Sequence, residues 1–358
     1  MKIAAKSALL MDASTGKVLV RFNENQKLYP ASVTKIMTLL LVAQALEEEK
    51  LHLSDPVTAS STAASKGGSQ IWLKEGETMT VEELVKAAAI YSANDACTAL
   101  AEHIGGSEEG FLRMMNERAA QLGMRNTTFV NCTGLDDDTT EHLTTAYDVA
   151  LMSRALLSHS EVAKYSTVWM DALRGGATEL VNTNRLVRFY EGATGLKTGT
   201  TDKAGCCISA SAKRGETHLI AVVMGSETSD DRFETAKRLL NWGFANYSTV
   251  YPAVDPTKVT PVRVLNGSQR ELIPQYQTAM PVLVPKGSEE DLQQSIDLCL
   301  DVQAPVDRDQ VLGKIVITLD GEVLGEYPLT APQAVPKLDF KTMLLRLLFA
   351  LTGSEEAN

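Results

Sequence analysis

The sequence lacks the net positive charge and the long apolar runs that mark two large classes of protein. Its 45 acidic and 34 basic side chains give a formal net charge of −11, which argues against nucleic acid as a partner. No stretch approaches the ~20 consecutive apolar residues that a membrane-spanning helix needs. The apolar fraction of 44% and the charged fraction of 22% are ordinary for a globular protein, so a folded core is expected.

Cysteine is scarce, and histidine occurs in no catalytic or metal-binding pattern. The cysteines are too few and too irregularly spaced for a disulfide framework: Cys97, Cys132, Cys206, Cys207 and Cys299. The adjacent pair Cys206-Cys207 lies in a strand-like run, so buried small side chains are its expected role. None of the five histidines has the spacing of a Gly-x-Ser-x-Gly triad or a metal site. The sequence therefore disfavours histidine-based and metal chemistry, and no cofactor is expected.

The chain is long enough for two domains, and its first part combines strand and helix patterns. Strand-like runs form a hairpin at one end and return much later, at 7–22, 204–213 and 217–225. Helical spacing of apolar residues begins at Ser32 and recurs in four segments, at 81–104, 107–123, 145–157 and 231–246. A helical insert between strands predicts one mixed sheet flanked by helices, with a helical subdomain, in the α+β class.

The character of the chain changes after Tyr251-Pro252. Short β-rich runs then alternate with Pro, Gly and Asp turns, which predicts a small all-β domain. The final segment is apolar, is punctuated by Lys341 and Arg346, and is too short to span a bilayer. Such a tail fits either a membrane interface or a helix docked on a protein surface. We therefore expect a first domain, a β domain and a tail, over residues 1–250, 254–334 and 338–358.

Ser32-Val-Thr-Lys35 is the pattern with the most chemical content. It places a hydroxyl and an amine one helical turn apart at a predicted helix start. A serine becomes a good nucleophile only when a neighbouring group accepts its proton. A lysine can do this when burial or nearby cations, such as a second lysine, lower its pKa. Ser14-Thr-Gly-Lys17 has the same spacing but falls in the predicted hairpin turn, so the pattern needs support from other motifs.

Ser92-Ala93-Asn94 is a second motif that occurs once in the chain. It follows an apolar run and precedes a helical stretch, which places a hydroxyl and an amide on a loop at a helix start. The hydroxyl of Ser92 would relay a proton to a leaving amine. The amide of Asn94 would hold a substrate carbonyl or Lys35. An ordinary helix cap is the alternative interpretation of this pair.

Lys197-Thr198-Gly199 is the third motif, and we expect it on a sheet strand that borders the pocket. Lys197 would supply positive charge, and Thr198 a hydroxyl for a substrate carboxylate. Gly199 would let the substrate backbone approach closely. The N–H groups of Ser32 and Thr200 would form an oxyanion hole. A Lys-Thr pair on an exposed strand is the simpler alternative.

Together, the three motifs resemble the signature of penicillin-binding proteins and serine β-lactamases. The chain is similar in particular to the low-molecular-mass penicillin-binding proteins that are D-alanyl-D-alanine carboxypeptidases. The similarity covers roughly residues 3–335, and the β domain and amphipathic tail match the family's layout. Its most specific segments are 28–38, 92–97, 144–148, 182–186 and 197–205. Two features depart from the family's pattern: the Cys206-Cys207 pair and loop 134–142.

The resemblance implies a penicillin-binding fold and a set of roles. Ser32 would form an acyl-enzyme with the penultimate D-alanine of a peptidoglycan stem peptide, release the terminal D-alanine, and be acylated by β-lactams. Arg232 matches a family arginine that helps to bind the terminal carboxylate, although a surface ion pair is the alternative. The family also implies an extracytoplasmic enzyme at the outer face of the cytoplasmic membrane, in peripheral contact through the tail. A signal peptide is then expected to have been removed.

Three other functions remain open at the level of sequence. A class A β-lactamase shares the motifs, but no Glu-x-x-Leu-Asn segment lies between the second and third motifs to supply a deacylating glutamate. A D,D-endopeptidase that cuts cross-links has the same chemistry. A non-catalytic wall-binding protein on this fold is disfavoured because all three motifs are complete.

Overall fold

A computed structural model describes residues 1–136, 139–341 and 343–344 of the chain. It divides into two compact units, of which the first spans Met1–Asn246 and the second begins at Tyr247. Each unit has its own hydrophobic clusters.

The first unit contains nine strands and nine α-helices among its described residues. The strands are β1 Ser7–Asp12, β2 Val18–Phe22, β3 Pro56–Thr58, β4 Thr78–Thr80, β5 Met170–Leu173, β6 Thr178–Val181, β7 Ala193–Thr201, β8 Gly205–Arg214 and β9 Thr217–Ser226. The α-helices are α1 Lys35–Glu47, α2 Ser61–Ala64, α3 Val81–Lys86, α4 Asn94–Gly105, α5 Glu108–Gln121, α6 Ala146–Leu157, α7 Ser160–Ala163, α8 Leu186–Phe189 and α9 Ser229–Asn246.

A five-stranded antiparallel sheet organises this unit, in the order β2-β1-β9-β8-β7. Side chains alternate along each strand, and both faces of the sheet are covered. In β1, Ala8 and Leu10 pack with α9, whereas Leu9 and Met11 pack with the helical side that includes α1 and α6. The strand β7 forms one edge of the sheet, which leaves that edge available to border a site.

The predicted helix over 81–104 is interrupted in the structure. Helix α3 ends at Lys86, a π-helical turn follows at Ala87–Tyr91, and α4 begins only at Asn94. Ser92, between them, has a left-handed backbone with φ of 69°. Apolar spacing continues through the break because Ala88, Ala89 and Ile90 are buried, so periodicity alone did not reveal it. The other predicted helices and the strands of the sheet lie within a few residues of their expected bounds.

The second unit is built from short strands, as its sequence pattern predicts. They are β10 Tyr247–Val250, β11 Val262–Leu265, β12 Glu271–Leu272, β13 Val282–Pro285, β14 Gln293–Leu298, β15 Asp301–Gln303, β16 Val311–Leu319 and β17 Glu322–Thr330. The pair β10-β13 and the sheet β14-β16-β17 bury one cluster, which includes Val282, Ile315 and Leu329. The sheet β12-β11-β15 contributes to a second cluster around Val264 and Ala304.

The expected tail lies mostly outside the described residues. Within it, the structure describes residues 338–341 and 343–344, and helical backbone begins at Phe340. Among all described residues, no helix is both long enough and apolar enough to cross a membrane.

Candidate active site

Ser32 lies on a 3-10 turn that leads into α1. The turn spans Ala31–Thr34, so the α-helix begins at Lys35 rather than at Ser32 as the sequence pattern suggested. The Nζ atom of Lys35 donates a hydrogen bond of 2.9 Å to Ser32 Oγ. The turn therefore brings the hydroxyl and the amine of the first motif into direct contact.

Lys35 is fully buried and has three hydrogen-bond acceptors. Besides Ser32 Oγ, its Nζ atom contacts Asn94 Oδ1 at 2.6 Å and the carbonyl oxygen of Thr133 at 2.8 Å. Burial disfavours the ammonium form and lowers the pKa of Lys35 to about 8, although Cys97, Cys132 and Asp95 partly offset this effect. Burial, and not the second lysine that the sequence suggested, is thus the cause. A substantial fraction of this amine is neutral near pH 8, as a base for Ser32 requires.

The second motif surrounds the same lysine. Asn94 is the first residue of α4, and its side chain holds Lys35 through Oδ1 while Nδ2 donates to the Gly67 carbonyl at 2.7 Å. The backbone N–H of Asn94 donates to the Ser69 carbonyl at 2.7 Å. Ser92 is buried on the left-handed turn two residues earlier. The amide of Asn94 therefore orients the lysine, which was one of its two expected roles.

The third motif lies on the edge strand β7, directly beside the serine turn. A Cβ atom added to Gly199 would lie 2.7 Å from the backbone nitrogen of Ser32, so only glycine allows this approach. Thr198 Oγ1 donates to Thr183 Oγ1 at 2.7 Å. Lys197 is buried, and its Nζ atom donates to the Thr198 carbonyl at 3.1 Å. Strand β7 and the turn that carries Ser32 thus form two adjoining walls of the site.

Burial and two neighbouring cations, Lys35 and Arg232, hold the pKa of Lys197 well below its usual range. Arg232 lies in the first turn of α9 and is only 7% exposed. Its Nη1 atom donates to the Gly199 carbonyl at 3.0 Å and to Thr200 Oγ1 at 2.9 Å. Burial also lowers the pKa of Arg232, and these bonds to β7 replace the alternative of a surface ion pair. An anionic group bound beside Lys197 and Arg232 would favour their protonated forms.

Across the described ranges 1–136, 139–341 and 343–344, no group of three or more His, Cys, Asp or Glu side chains is arranged to hold a metal ion. The polar atoms gathered at Ser32 are those of a hydroxyl, amines, an amide and backbone groups. Such a set is suited to acyl transfer through a covalent serine intermediate.

Comparisons with known proteins agree with this geometry. The family model described as D-alanyl-D-alanine carboxypeptidase matches residues 1–228. The chain belongs to this family. A second model, described as the penicillin-binding protein 5 C-terminal domain, matches residues 247–337. The carboxypeptidase DacF of Bacillus subtilis is 42% identical over 349 residues, which cover 96% of this chain and 89% of that protein.

Solved structures support the same carboxypeptidase family and its fold. Penicillin-binding protein 5 of Haemophilus influenzae superposes with a TM-score of 0.82 at 31% identity, covering 94% of this chain and 99% of that one. Penicillin-binding protein D2 of Listeria monocytogenes, in its ampicillin-bound form, gives a TM-score of 0.63 at 31% identity over 68% of this chain and 99% of that one. The predicted α+β fold, with its sheet, helical subdomain and small β domain, is confirmed.

Loop residues that no motif marks complete the site of this carboxypeptidase-family chain. Gly134 has φ of 89°, and a Cβ atom there would collide with the carbonyl oxygen of Ala31, beside Ser32. Next to Gly134, the Thr133 carbonyl holds Lys35. Thr34 shares a 2.8 Å hydrogen bond with His142 Nε2. The contacts of residues 133 and 134 were missed because they depend on a backbone carbonyl and on a glycine, and the contact of His142 because the histidine is 108 residues from Thr34 and has no motif around it.

Part of loop 134–142 is tied to the end of β7. Asp136 Oδ2 accepts a 2.6 Å hydrogen bond from Thr201 Oγ1, and the Asp136 carbonyl accepts one from Lys203 Nζ. Residues 137 and 138 lie outside the described residues. Nearby on β8, Cys206 and Cys207 are buried and free, which agrees with the expected role of small core side chains. Their place opposite Thr200 and Gly199 follows from the register of β7 and β8.

Proposed function

We propose that this chain is a serine D-Ala-D-Ala carboxypeptidase that removes the terminal D-alanine of peptidoglycan stem peptides through an acyl-enzyme on Ser32. The observation that carries the proposal is the 2.9 Å contact between Ser32 Oγ and the buried amine of Lys35, whose pKa is lowered to about 8. Family membership and the names of its carboxypeptidase relatives support the substrate class. They also favour this activity over that of a class A β-lactamase.

Acylation begins when the neutral amine of Lys35 accepts the Ser32 proton. Ser32 Oγ then attacks the carbonyl carbon of the penultimate D-alanine, and the carbonyl oxygen gains negative charge. The backbone N–H groups of Ser32 and Thr200 would donate to this oxygen, since Gly199 brings β7 against the serine turn. Collapse of the intermediate breaks the peptide bond. The proton that Lys35 took from Ser32 would pass by way of Ser92 to the leaving nitrogen, which returns Lys35 to its neutral form.

Deacylation repeats these steps with water as the nucleophile and Ser32 Oγ as the leaving group. A water molecule loses its proton to Lys35 and attacks the ester, and Ser32 Oγ regains a proton as it leaves. The Thr198 hydroxyl would bind the substrate carboxylate, and the bound anion would favour the protonated forms of Lys197 and Arg232 beside it. Arg232 would act mainly by holding Thr200 and Gly199 in place, because its Nη1 atom already donates to both.

D-alanine release from a synthetic peptide that ends in D-Ala-D-Ala tests the proposal. We expect release without added metal, its loss after preincubation with penicillin, and one penicilloyl mass adduct on the peptide that contains Ser32. Cross-linked and linear muropeptides are assayed in parallel. If only cross-linked material is cut, the chain is an endopeptidase, and if intact penicillin is rapidly hydrolysed without a lasting adduct, it is a β-lactamase. Either result would overturn the carboxypeptidase assignment.

We also propose that the enzyme acts outside the cytoplasmic membrane, where its substrate lies, and touches the membrane through the tail from residue 338. The apolar residues of this segment, punctuated by Lys341 and Arg346, support an interfacial helix on an anionic surface. We expect the full chain to sediment with anionic phospholipid vesicles, and a variant that ends at Lys337 to stay in the supernatant. Equal sedimentation of the two proteins, with D-alanine release intact in both, would contradict the anchor.

A further inference from the structure

Trp72 is a large aromatic side chain that the fold keeps in solvent. It is 75% exposed, and its backbone has φ of 60°, a left-handed conformation that bulky residues rarely adopt. An unfavourable backbone and an exposed indole persist together only where the surroundings enforce them, and such outliers concentrate at functional sites. These two features together are typical of a ligand-binding position.

Hydrogen bonds on both sides enforce this conformation. The N–H groups of Ile71 and Leu73 both donate to the buried carboxylate of Asp95, at 3.1 Å and 3.0 Å. The Ile71 carbonyl accepts a 2.9 Å bond from Arg174 Nη1, and Arg174 is itself paired with Glu77 at 2.7 Å. The backbone around the indole is therefore already ordered before a ligand binds, which lowers the entropic cost of binding.

The indole lines an open groove of about 750 Å³ between this segment and the turn that joins β5 to β6. The rim of the groove carries both signs of charge, with Lys74 and Glu75 on one side and the Arg174–Glu77 ion pair across it. A rim of balanced charge selects for neither anion nor cation. It offers hydrogen-bonding groups around an aromatic face, which fits a neutral polyhydroxylated ring.

The groove lies within one stem peptide of the nucleophile. Strand β6 starts at Thr178, which lines the groove, and Thr183, two residues beyond its end, contacts Thr198. Five residues of extended chain reach at most about 17 Å, and a stem peptide of about five residues has the same reach. A second link runs through Asp95, which follows Asn94 and holds the Trp72 segment. A peptide whose end is bound at Thr198 is therefore long enough for its opposite end to reach the groove.

We propose that Trp72 is the platform of a saccharide subsite that binds the glycan sugar to which the stem peptide is attached. The proposal rests on the proposed carboxypeptidase function and adds a part of the substrate to it. The C–H face of the sugar ring packs on the indole, and its hydroxyl and acetamido groups bond to the charged rim. Trp72 touches substrate remote from the reacting bond, so it determines specificity and is not part of the acyl-transfer chemistry.

The test compares two substrates that share one stem peptide, the free pentapeptide and the same peptide on its N-acetylated disaccharide. For the full-length enzyme we expect a higher kcat/KM on the glycan-bearing substrate. Trp72→Ala is expected to lower the ratio of the two kcat/KM values by roughly 10-fold, and Trp72→Phe to retain most of it, since loss of one aromatic anchor typically has this effect. Calorimetric titration gives the Kd of the glycan-bearing peptide directly. This Kd should be roughly 10-fold higher for Ser32→Ala/Trp72→Ala than for Ser32→Ala.

Phe189→Ala is the matched control, because Phe189 is an exposed aromatic residue of the same unit, at 67%, and does not line this groove. It is expected to leave the ratio as it is. A ratio near one in the unmodified enzyme, or an unchanged ratio and Kd in Trp72→Ala, would overturn the saccharide subsite. An equal loss of kcat/KM on both substrates in Trp72→Ala would also overturn it, because the indole would then contact the peptide or stabilise the fold. Failure of the proposed function is distinct, since the unmodified enzyme would then release D-alanine from neither substrate.

Discussion

Replacing Ser32 by alanine is expected to lower kcat for D-alanine release by at least about 10⁴-fold, as loss of a catalytic serine does in other hydrolases. The covalent penicillin adduct should disappear in the same variant. Both effects follow from the loss of Oγ, the atom that Lys35 Nζ contacts at 2.9 Å. Stopped assays of D-alanine and mass spectrometry of the penicillin-treated protein measure them.

Ser14→Ala is the natural control, because Ser14 and Lys17 repeat the spacing of Ser32 and Lys35. In the structure, residues 14–17 join β1 to β2 as a turn and have no part in the site. This variant should keep the activity and the adduct of the parent protein. If Ser32→Ala retained both, the nucleophile would be a different residue and the proposed mechanism would be wrong.

Lys35 is expected to make the acylation rate dependent on pH. Its pKa is lowered to about 8, so the amine is mostly protonated below that pH and becomes the competent base as pH rises. The second-order rate of acylation by penicillin should increase nearly 10-fold per unit between about pH 6 and pH 7.5, and level off above about pH 8.5. Lys35→Arg keeps a cation that stays protonated, so we expect a loss of roughly 10³-fold near pH 8.5, where the parent amine is mostly neutral. The loss should be smaller at pH 6, where the parent amine is itself mostly protonated.

Lys17→Arg provides the corresponding control in the turn, and its pH profile should match that of the parent protein. Since Lys35 is buried, circular dichroism and thermal unfolding of Lys35→Arg must show a folded protein before its rate is interpreted. A folded Lys35→Arg enzyme that acylates with the parental rate and pH profile would show that another group takes the proton from Ser32.

The sheet and the three walls of the site could be predicted because each is marked by a short stretch of sequence. The β1–β2 hairpin and strands β8 and β9 have strand-like runs bounded by turn residues, and each of the three motifs has a recognisable local pattern. Apolar spacing was the misleading signal at Ser92, because it continues through 81–104 and predicts one helix. The second motif predicted a loop at a helix start in the same place, and the structure has the break there. At this break the Asn94 backbone N–H donates to the distant Ser69 carbonyl.

The carbonyl groups that hold the side chains of Lys35 and Asn94 could not be predicted either. Lys35 is held by the carbonyl of Thr133, and Asn94 by that of Gly67, and every residue type has such a carbonyl. Trp72 gave no signal either, since a single tryptophan between apolar neighbours is usual for a core segment. Only the pairing of its neighbours with Asp95 and Arg174 explains why this indole faces solvent.

The contact between Gly134 and Ala31 has a consequence for how this enzyme can evolve. Any side chain at position 134 would collide with the Ala31 carbonyl, so the loop and the serine turn are fitted to each other without a gap. Because the collision is with a backbone oxygen, no change of side chain at position 31 relieves it, and position 134 should accept only glycine.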